Sequence, residues 1–367
     1  MIGAVAITAG TACTAADPSY DGPSVSATVP PSATVEPVPS PEPTPEPTPE
    51  RVPRPVTIAL AGDVHFEGVL RSRLDDPATA LAPVTSTLAA ADVAVVNLET
   101  SVGTGGRPEP GKRYPFQAPP SALRALSAAG VDVASMANNH ALDFGRDPLP
   151  GTFAAIDRAR LSVVGLGRDA EEAFEPALTD VDGTLVATIG ATVADRDPTA
   201  DPTGQWAATA DSPGTADAID PTRLLRAVGQ ADRSADVVVV YLHWGVQGER
   251  CPGEDQRSLA TALVGAGADV VTGSHTHGLQ GDGRLGRGYV AYGLGNYAWY
   301  TPTELSGVLT LTVQPPLARA GRARVTDAAW APAGIGADGL PAALTGAAET
   351  DARAEIAALR SCAGLAG

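Results

Sequence analysis

The chain has few of the residues on which several classes of protein depend. Lysine occurs once, as Lys112, and the formal net charge is −17 over 367 residues. A nucleic-acid-binding protein needs a basic face to neutralise phosphates, so this composition excludes that class. Three cysteines are too few for a scaffold held together by disulfides. The hydrophobic fraction of 44% is nevertheless sufficient for a substantial core.

The first 13 residues differ from the rest of the chain. An apolar stretch over residues 2–7 precedes the small residues that lead to Cys13. This pattern is typical of a secretory signal that ends at a lipidated cysteine, and it predicts a lipoprotein on the extracellular face of the membrane or a secreted protein. The usual positively charged start is missing, which leaves open a start codon upstream of Met1. The alternative is an incidental alanine-rich terminus. No other segment is long and apolar enough to span a bilayer.

Residues 14–55 are dominated by proline, glutamate and threonine. Proline has no amide hydrogen and restricts the residue before it, so regular hydrogen-bonded structure is disfavoured. The composition predicts a disordered, semi-rigid spacer between a lipid-type cysteine and a globular domain over residues 56–367.

The remaining two cysteines form an even pair. If Cys13 is lipidated, Cys251 and Cys362 are left, and in an oxidising compartment they are predicted to form a disulfide. Two unpaired core thiols are the alternative.

From Val56 onward, short apolar runs alternate with helical patterns. Helix-like stretches cover residues 121–129, 149–159, 221–231, 255–265 and 351–359. The alternation predicts an α/β fold with helices on the faces of a sheet. Three late strands lack intervening helices, which predicts a mixed or antiparallel second sheet. The predicted strands are 56–61, 93–96, 131–135, 161–164, 185–189, 237–242 and 270–271, followed by the late strands 289–292, 307–313 and 323–330.

All five histidines stand at the ends of predicted strands. A single histidine is more often a satisfied core or surface residue, but five of five at strand ends are hard to obtain that way. Ligands of an open α/β sheet bind outside the carboxyl ends of its strands, so we expect these loops to converge. Imidazole, carboxylate and amide ligands without thiolate suit Mn, Fe or Zn. The candidate residues are Asp63, His65, Glu99, Asn139, His140, His243, His275 and His277.

Six ordered motifs resemble those of the poly-γ-glutamate capsule-synthesis (CapA) family, over roughly residues 56–300. They are Gly62-Asp63, Asn97-Leu98-Glu99, the run from Ala137 to Gly145, His243-Trp244-Gly245, Gly273-Ser274-His275-Thr276-His277 and Gly293-Leu294-Gly295-Asn296-Tyr297. The segment from Phe116 to Pro120 is also similar to that family. The order Asp-x-His, Asn-His, His and Gly-x-His-x-His resembles calcineurin-like metallophosphoesterases. The resemblance implies a calcineurin-like metallophosphoesterase-type sandwich of mixed β-sheets flanked by helices.

The resemblance also implies two divalent transition-metal ions, which would activate a water for attack on a substrate. Glu99 would bridge the two ions. The first ion would be held by Asp63, His65 and His277, and the second by Asn139, His243 and His275.

Three further residues acquire roles by the same resemblance. His140, which follows the ligand Asn139, would act as the general acid. Asn138 and Asp143 would orient neighbouring imidazoles, although Asp143 could equally cap the following turn.

The chain departs from the family pattern in places. Many relatives carry an apolar residue at the position of His65, so the first metal site would have one more ligand here. Gln117 stands where arginine is common and Gln247 where glutamate is frequent, so both are candidate substrate contacts. Asn296 either lines the cleft or belongs to a tight turn. Trp244 is interpreted as a packing residue, with a substrate platform as the alternative.

Three functional hypotheses follow. The first is a metal-dependent hydrolase that acts on a phosphoester or on an anionic polymer such as poly-γ-glutamate. The second is a cell-surface factor for synthesis, export or retention of that polymer, in a polymer-synthesis complex and without turnover. The third is a secreted relic whose metal is structural, which the full ligand set and His140 disfavour. The acidic charge disfavours broad polyanion binding, but a dimetal centre could hold one carboxylate locally.

Overall fold

The computed structural model describes residues 22–28, 53–193, 200–316 and 321–366. Residues 22–28 are exposed and have no regular secondary structure. The predictions for Cys13 and for most of the spacer lie outside the described residues. No helix within the described ranges combines the length and hydropathy that crossing a membrane requires.

The described part alternates strands and helices along the chain. Its helices are α1 (Ala82–Leu88), α2 (Ser121–Ala128), α3 (Leu149–Ile156), α4 (Ala170–Ala173), α5 (Thr222–Ser234), α6 (Glu254–Ala266) and α7 (Ala347–Ala363), with a 3-10 helix at Gly68–Asp75. Its strands are β1 (Val56–Val64), β2 (Val93–Leu98), β3 (Ser101–Val102), β4 (Gln117–Ala118), β5 (Val133–Ser135), β6 (Ser162–Val164), β7 (Leu166–Gly167), β8 (Ala177–Val181), β9 (Thr184–Thr192), β10 (Gly214–Thr215), β11 (Val237–His243), β12 (Val270–Ser274), β13 (Asp282–Leu285), β14 (Gly288–Ala291), β15 (Asn296–Ala298), β16 (Thr303–Gln314), β17 (Arg324–Ile335) and β18 (Pro341–Ala343).

Two large mixed sheets account for most of these strands. The first has the order β18-β17-β16-β1-β2-β5-β6, with β15 also paired to β1. Its strands β1, β2, β5 and β6 are parallel, whereas β16 and β17 add an antiparallel edge. The second has the order β13-β14-β12-β11-β9-β8, with parallel central strands and antiparallel β8 and β13 at its edges.

The two sheets pack face to face, as the side-chain alternation shows. Ile58 and Leu60 of β1 join a buried cluster with Val237 and Val239 of β11. The intervening residues of each strand point the other way, towards two outer clusters that contain helix residues. Because the strands are covered on both faces, they are apolar throughout rather than alternating. The mixed α/β sandwich predicted from the sequence is confirmed.

The late strands differ from the prediction. We expected these strands in a mixed or antiparallel second sheet. The second sheet is mixed and contains β14, but β16 and β17 extend the first sheet instead. The physical reason is the inner face of β16, where Leu309, Leu311 and Val313 enter the cluster between the sheets. β16 pairs with β1 in antiparallel register, with Leu309 opposite Leu60 and Leu311 opposite Ile58.

Cys251 and Cys362 form a disulfide that ties α7 to the turn before α6. The two residues are 111 positions apart in the chain, so the bond closes a long loop of the unfolded state. We expect its removal, in a Cys251→Ser/Cys362→Ser variant, to lower the free energy of unfolding by roughly 2–5 kcal/mol. Urea unfolding with and without a thiol reductant measures this. The double variant should not respond to reductant, and an unchanged wild-type midpoint after reduction would contradict the expectation.

Candidate metal centre

The candidate residues converge at the carboxyl ends of strands from both sheets. Asp63 lies near the end of β1, and Glu99 follows β2 directly. The turn after β5 carries Asn139 and His140. From the second sheet, His243 is the last residue of β11, and His275 and His277 follow β12. These loops, which we expected to converge because each follows a strand, lie together in the fold.

Close backbone approach brings the two sides of the site together. A Cβ at Gly62 would stand 1.8 Å from the carbonyl oxygen of Gly295, so only glycine fits there. The amide of Asp63 donates to the same Gly295 oxygen at 2.8 Å. As a result Asn296 pairs with Asp63 in parallel register, and its side chain reaches the site.

The Glu99 carboxylate is the most unusual feature of the site. It is fully buried, and neither of its oxygens has a hydrogen-bond partner among the described residues. Burial and the nearby charge of Asp63 raise its pKa well above the usual range. A buried carboxylate without partners is costly, so this position calls for positive charge that the protein itself does not supply.

Glu99 belongs to two groups of ligand-type residues whose donor atoms lie within 4.8 Å of one another. In the first, His243 Nε2 lies 3.5 Å from Glu99 Oε1 and 3.0 Å from His275 Nδ1. Asn139 Oδ1 is also close, at 2.6 Å from His243 Nε2. The structure thus brings together the four residues that the resemblance assigns to the second ion. Burial lowers the pKa of His243 to about 3, so its ring is neutral and able to ligate.

The second group consists of Asp63, Glu99 and His277. His277 Nδ1 lies 3.5 Å from Asp63 Oδ2. Burial works against the charged ring, but the contacts with Asp63 and Glu99 outweigh it and raise the pKa of His277 to about 9. Burial likewise opposes the charge of Asp63, but His277 and His243 hold the pKa of that carboxyl below its usual range.

The backbone is strained at the two histidines that follow β12. His275 has φ 92° and His277 has φ 59°, backbone angles that residues other than glycine rarely adopt. Such conformations cost about 1–3 kcal/mol each and cluster at functional sites. Here they direct two imidazoles of one short loop towards Glu99 and Asp63 respectively.

His65 lies apart from both groups. Its Nδ1 accepts the amide of Glu67 at 2.9 Å, and its Nε2 lies 3.3 Å from the amide nitrogen of Tyr300. Its ring packs against Phe116 and Trp299, with centroid distances of 4.9 and 4.1 Å. Both ring nitrogens therefore face backbone amides rather than the metal ligands. The ligand role implied for His65 stays a prediction, and this placement does not support it.

His140 and Asp143 form a buried pair beside Glu99. His140 Nδ1 lies 2.6 Å from Asp143 Oδ2, and His140 Nε2 lies 3.7 Å from Glu99 Oε1. Asp143 therefore orients an imidazole, and it also accepts the amide of Phe116 at 2.6 Å. Burial raises the pKa of Asp143 to about 7 despite the opposing effects of Lys112 and that amide. Asn138 Oδ1 accepts the amide of His140 at 3.0 Å, which fixes the turn.

Two residues of the site were missed by sequence reasoning. Asn97 donates to Asp63 Oδ1 at 2.8 Å, and its Nδ2 lies 3.2 Å from His243 Nδ1, so it links residues of both groups. Its signal was the motif with Glu99. Lys112 is buried beside Asp143, with its Nζ 3.0 Å from Asp143 Oδ1. The one signal in the sequence was that Lys112 is the single lysine of the chain.

The candidate substrate residues occupy different environments. Asn296 is buried, with Oδ1 2.9 Å from His277 Nδ1, so it supports a candidate ligand. Gln117 donates through Nε2 to the carbonyl of Gly105 at 2.8 Å. Gln247 is exposed in the turn that follows His243. Trp244 is fully buried and donates to the carbonyl of Tyr292 at 2.7 Å, which makes it a packing residue rather than a platform.

The donor set fits a pair of divalent transition-metal ions. Each group offers imidazole nitrogen and carboxylate oxygen, which suit Mn, Fe or Zn, and the shared Glu99 has two oxygens free. Two positive ions would offset the cost of two buried carboxylates at one place.

The fold and the site together place the chain in the class of mixed α/β sandwich proteins with a candidate metal site at the strand ends. The family described as bacterial capsule synthesis protein PGA_cap matches residues 57–300. The chain belongs to this family, and the resemblance seen in the sequence is confirmed.

Several curated proteins are similar to the chain. Capsule biosynthesis protein CapA of Bacillus anthracis is 33% identical over 192 residues, covering 51% of this chain and 45% of that protein. PGA biosynthesis protein CapA of Bacillus subtilis is 31% identical over 190 residues, covering 51% and 48%. A probable polyglutamine synthesis accessory protein of Mycobacterium tuberculosis is 32% identical over 194 residues, covering 51% and 50%. The chain spans about half the length of these relatives.

Solved structures show more distant likeness. A phosphatase of Mycoplasma pneumoniae has a TM-score of 0.45 at 13% identity, covering 75% of this chain and 93% of that one. A 5′-nucleotidase of Candida albicans has a TM-score of 0.39 at 10% identity, covering 83% and 57%. Scores this low do not establish a shared function.

Proposed function

We propose that this protein is a CapA-like cell-surface factor of poly-γ-glutamate (capsule) synthesis, export or retention, with a dinuclear metal site that hydrolyses its substrate. The observation that carries the proposal is Glu99, a fully buried carboxylate whose two oxygens lack partners within the described residues and which belongs to both ligand groups. Membership of the capsule synthesis family and the names of the curated relatives support the polymer context.

The residues of the site have separate roles in the proposed metal-dependent hydrolase. Two bound ions would supply Lewis-acid and water-activating chemistry. Asp63 and His277 would hold one ion, and Asn139, His243 and His275 would hold the other, with Glu99 available to both. Asn97 orients His243 through its Nδ1, and Asn296 orients His277. Burial of the ligands excludes bulk water and strengthens their electrostatic contacts.

His140 handles a proton in this scheme. Asp143 Oδ2 lies 2.6 Å from His140 Nδ1, so the opposite nitrogen, Nε2, is directed towards Glu99 and the ligand groups. The charged imidazolium would hold a second proton at Nε2, and burial, which lowers the pKa of His140, favours release of that proton to a leaving group at that edge of the site. A site that only bound polymer would have no need for a buried imidazole held by a carboxylate, and this pair therefore favours turnover over a non-catalytic polymer-binding role.

The substrate is proposed to be an anionic polymer, with a phosphoester as the alternative. The chain carries a net charge of −17, so its surface does not attract long polyanions. A dimetal centre can hold one carboxylate or one phosphoryl group despite that charge. We further propose that a lipid at Cys13 anchors the protein to the membrane, where a polymer-synthesis complex would be its partner.

Metal analysis of the purified full chain, followed by hydrolysis assays on poly-γ-glutamate and on phosphoesters, tests the proposal. We expect close to two transition-metal ions per chain and turnover of one substrate class that a chelator abolishes. A fully metal-loaded protein without turnover on either class would reject the hydrolase in favour of polymer binding. A protein that binds no transition metal would overturn the site.

A further inference from the structure

Lys112 is the one lysine of the chain, and its side chain is only 3% exposed. Its Nζ lies 3.0 Å from Asp143 Oδ1 and donates to the carbonyl of Ala200 at 2.9 Å. It also donates to the backbone carbonyl of Asn139. The indole of Trp206 lies beside the ammonium, 4.8 Å from Nζ to the ring centroid. The ammonium thus donates to two backbone carbonyls and forms a buried ion pair with Asp143.

These partners matter because two of them belong to the site. Asp143 is the carboxylate that holds His140 Nδ1 at 2.6 Å. Asn139 supplies the side-chain oxygen that lies 2.6 Å from His243 Nε2. A single buried cation therefore contacts both the residue that orients the proposed general acid and the backbone of a proposed metal ligand.

The residue type is also specific to this position. Lysine and arginine together number 25, and all of them except Lys112 are arginine. An ammonium is a compact charge with three donors that can point at three converging oxygens, whereas a guanidinium is planar and larger. The cation–π contact with Trp206 adds attraction to a buried charge. Arginine would carry the charge here but would not reproduce the three contacts.

We infer that Lys112 is a positioning residue whose ammonium fixes Asp143 against His140 and holds the Asn139 backbone at the same time. This inference rests on the proposed function, because it assigns Lys112 to the proton-handling side of the proposed hydrolase. Lys112 would act on turnover mainly through His140, and on Asn139 through its backbone carbonyl. Removal of a residue that orients a ligand or an acid typically lowers activity about 10–100-fold.

The kinetic test is a double-mutant cycle with Lys112→Met and His140→Asn. We expect Lys112→Met to lower kcat about 10–100-fold with KM little changed, and to lower it further on poor leaving groups. In the His140→Asn background, Lys112→Met should have a much smaller additional effect, because the imidazole that it orients is gone and only its contact with the Asn139 carbonyl remains to be lost. Full additivity of the two losses would overturn the inference. Arg353→Met, which removes an exposed cation paired with Glu349, is the matched control.

A second readout does not depend on activity. In zinc-loaded full-length protein labelled with ¹⁵N, the Nδ1–H resonance of His140 is assigned by its loss in His140→Asn. We expect this hydrogen to exchange faster with solvent in Lys112→Met than in wild type or Arg353→Met. Unchanged exchange would overturn the inference even if no substrate is ever turned over, which separates it from failure of the proposed function.

Lys112→Arg keeps the inference testable if Lys112→Met does not fold. Deletion of one member of a buried ion pair is strongly destabilising, because the other charge is left unpaired. The arginine variant retains the charge and should keep its metal, yet it should still accelerate exchange at His140. A Lys112→Arg protein with wild-type exchange and wild-type kcat would show that charge alone suffices, and the positioning role would be rejected.

Discussion

Substitution of Glu99 by alanine is expected to remove at least one of two bound ions. Glu99 is shared by both ligand groups, so its loss weakens the ligation of each ion and removes the negative charge between them. Elemental analysis of the purified variant measures the stoichiometry. An unchanged content of two ions would refute the bridging role.

Thermal stability provides an independent measurement of the same substitution. A ligand that binds only the native state stabilises it in proportion to RT ln(1 + [L]/Kd). We expect added zinc to raise the melting temperature of the wild type clearly and that of Glu99→Ala much less. Without metal, the melting temperature of Glu99→Ala can exceed that of the wild type. The metal-free wild type contains a buried carboxylate whose pKa is raised well above its usual range.

Glu355→Ala is the matched control for Glu99→Ala. Glu355 lies on α7 and pairs with Arg250 at the surface, with a side chain that is 41% exposed. Exposed ion pairs contribute about 0–1 kcal/mol, so this variant should keep both its ions and its metal-dependent stabilisation. A loss of metal in Glu355→Ala would mean that the stoichiometry responds to general destabilisation.

The sequence predicts the central strands well because their patterns are local. The run over residues 237–242 is valine-rich and has no polar residue, and it becomes β11, which is covered on both faces. The run over residues 177–181 alternates between exposed and partly buried positions at an edge of the second sheet, and its signal is correspondingly weak. Partner choice was not predictable, because the pairing of β16 with β1 depends on residues that are far apart in the chain.

The site follows the same division between local and distant information. The positions of His243, His275 and Glu99 at strand ends are local, so their convergence could be predicted from the rule that ligands bind outside the carboxyl ends of strands. The environment of His65 is set by Phe116, Trp299 and Tyr300, which reach it from two other segments. No pattern near His65 could have indicated that its nitrogens face backbone amides. Lys112 was equally hidden, because its partners come from residues 139–143 and 200–206.

The substitution His140→Asn is expected to depress turnover while the metal content stays intact. His140 lies outside both ligand groups, and its Nε2 is 3.7 Å from Glu99 Oε1, where a leaving group could approach. Loss of a general acid typically costs about 10²–10⁴-fold in rate. Elemental analysis of the variant must accompany the kinetics, because a loss of metal would make His140 a ligand instead.

The dependence on the leaving group distinguishes proton transfer from simple positioning. The alkoxide of an alkyl ester and the amine of an amide are poor leaving groups without a proton, so His140→Asn should lose most activity on those substrates. An activated aryl ester releases a stable phenolate anion, so the variant should retain most of its rate on that ester. The same variant therefore provides its own control, because both substrates use the same metal site. An equal loss on both would contradict the general-acid assignment and would leave His140 as a residue that only orients the substrate, with Asp143 and Phe116 holding its ring in place.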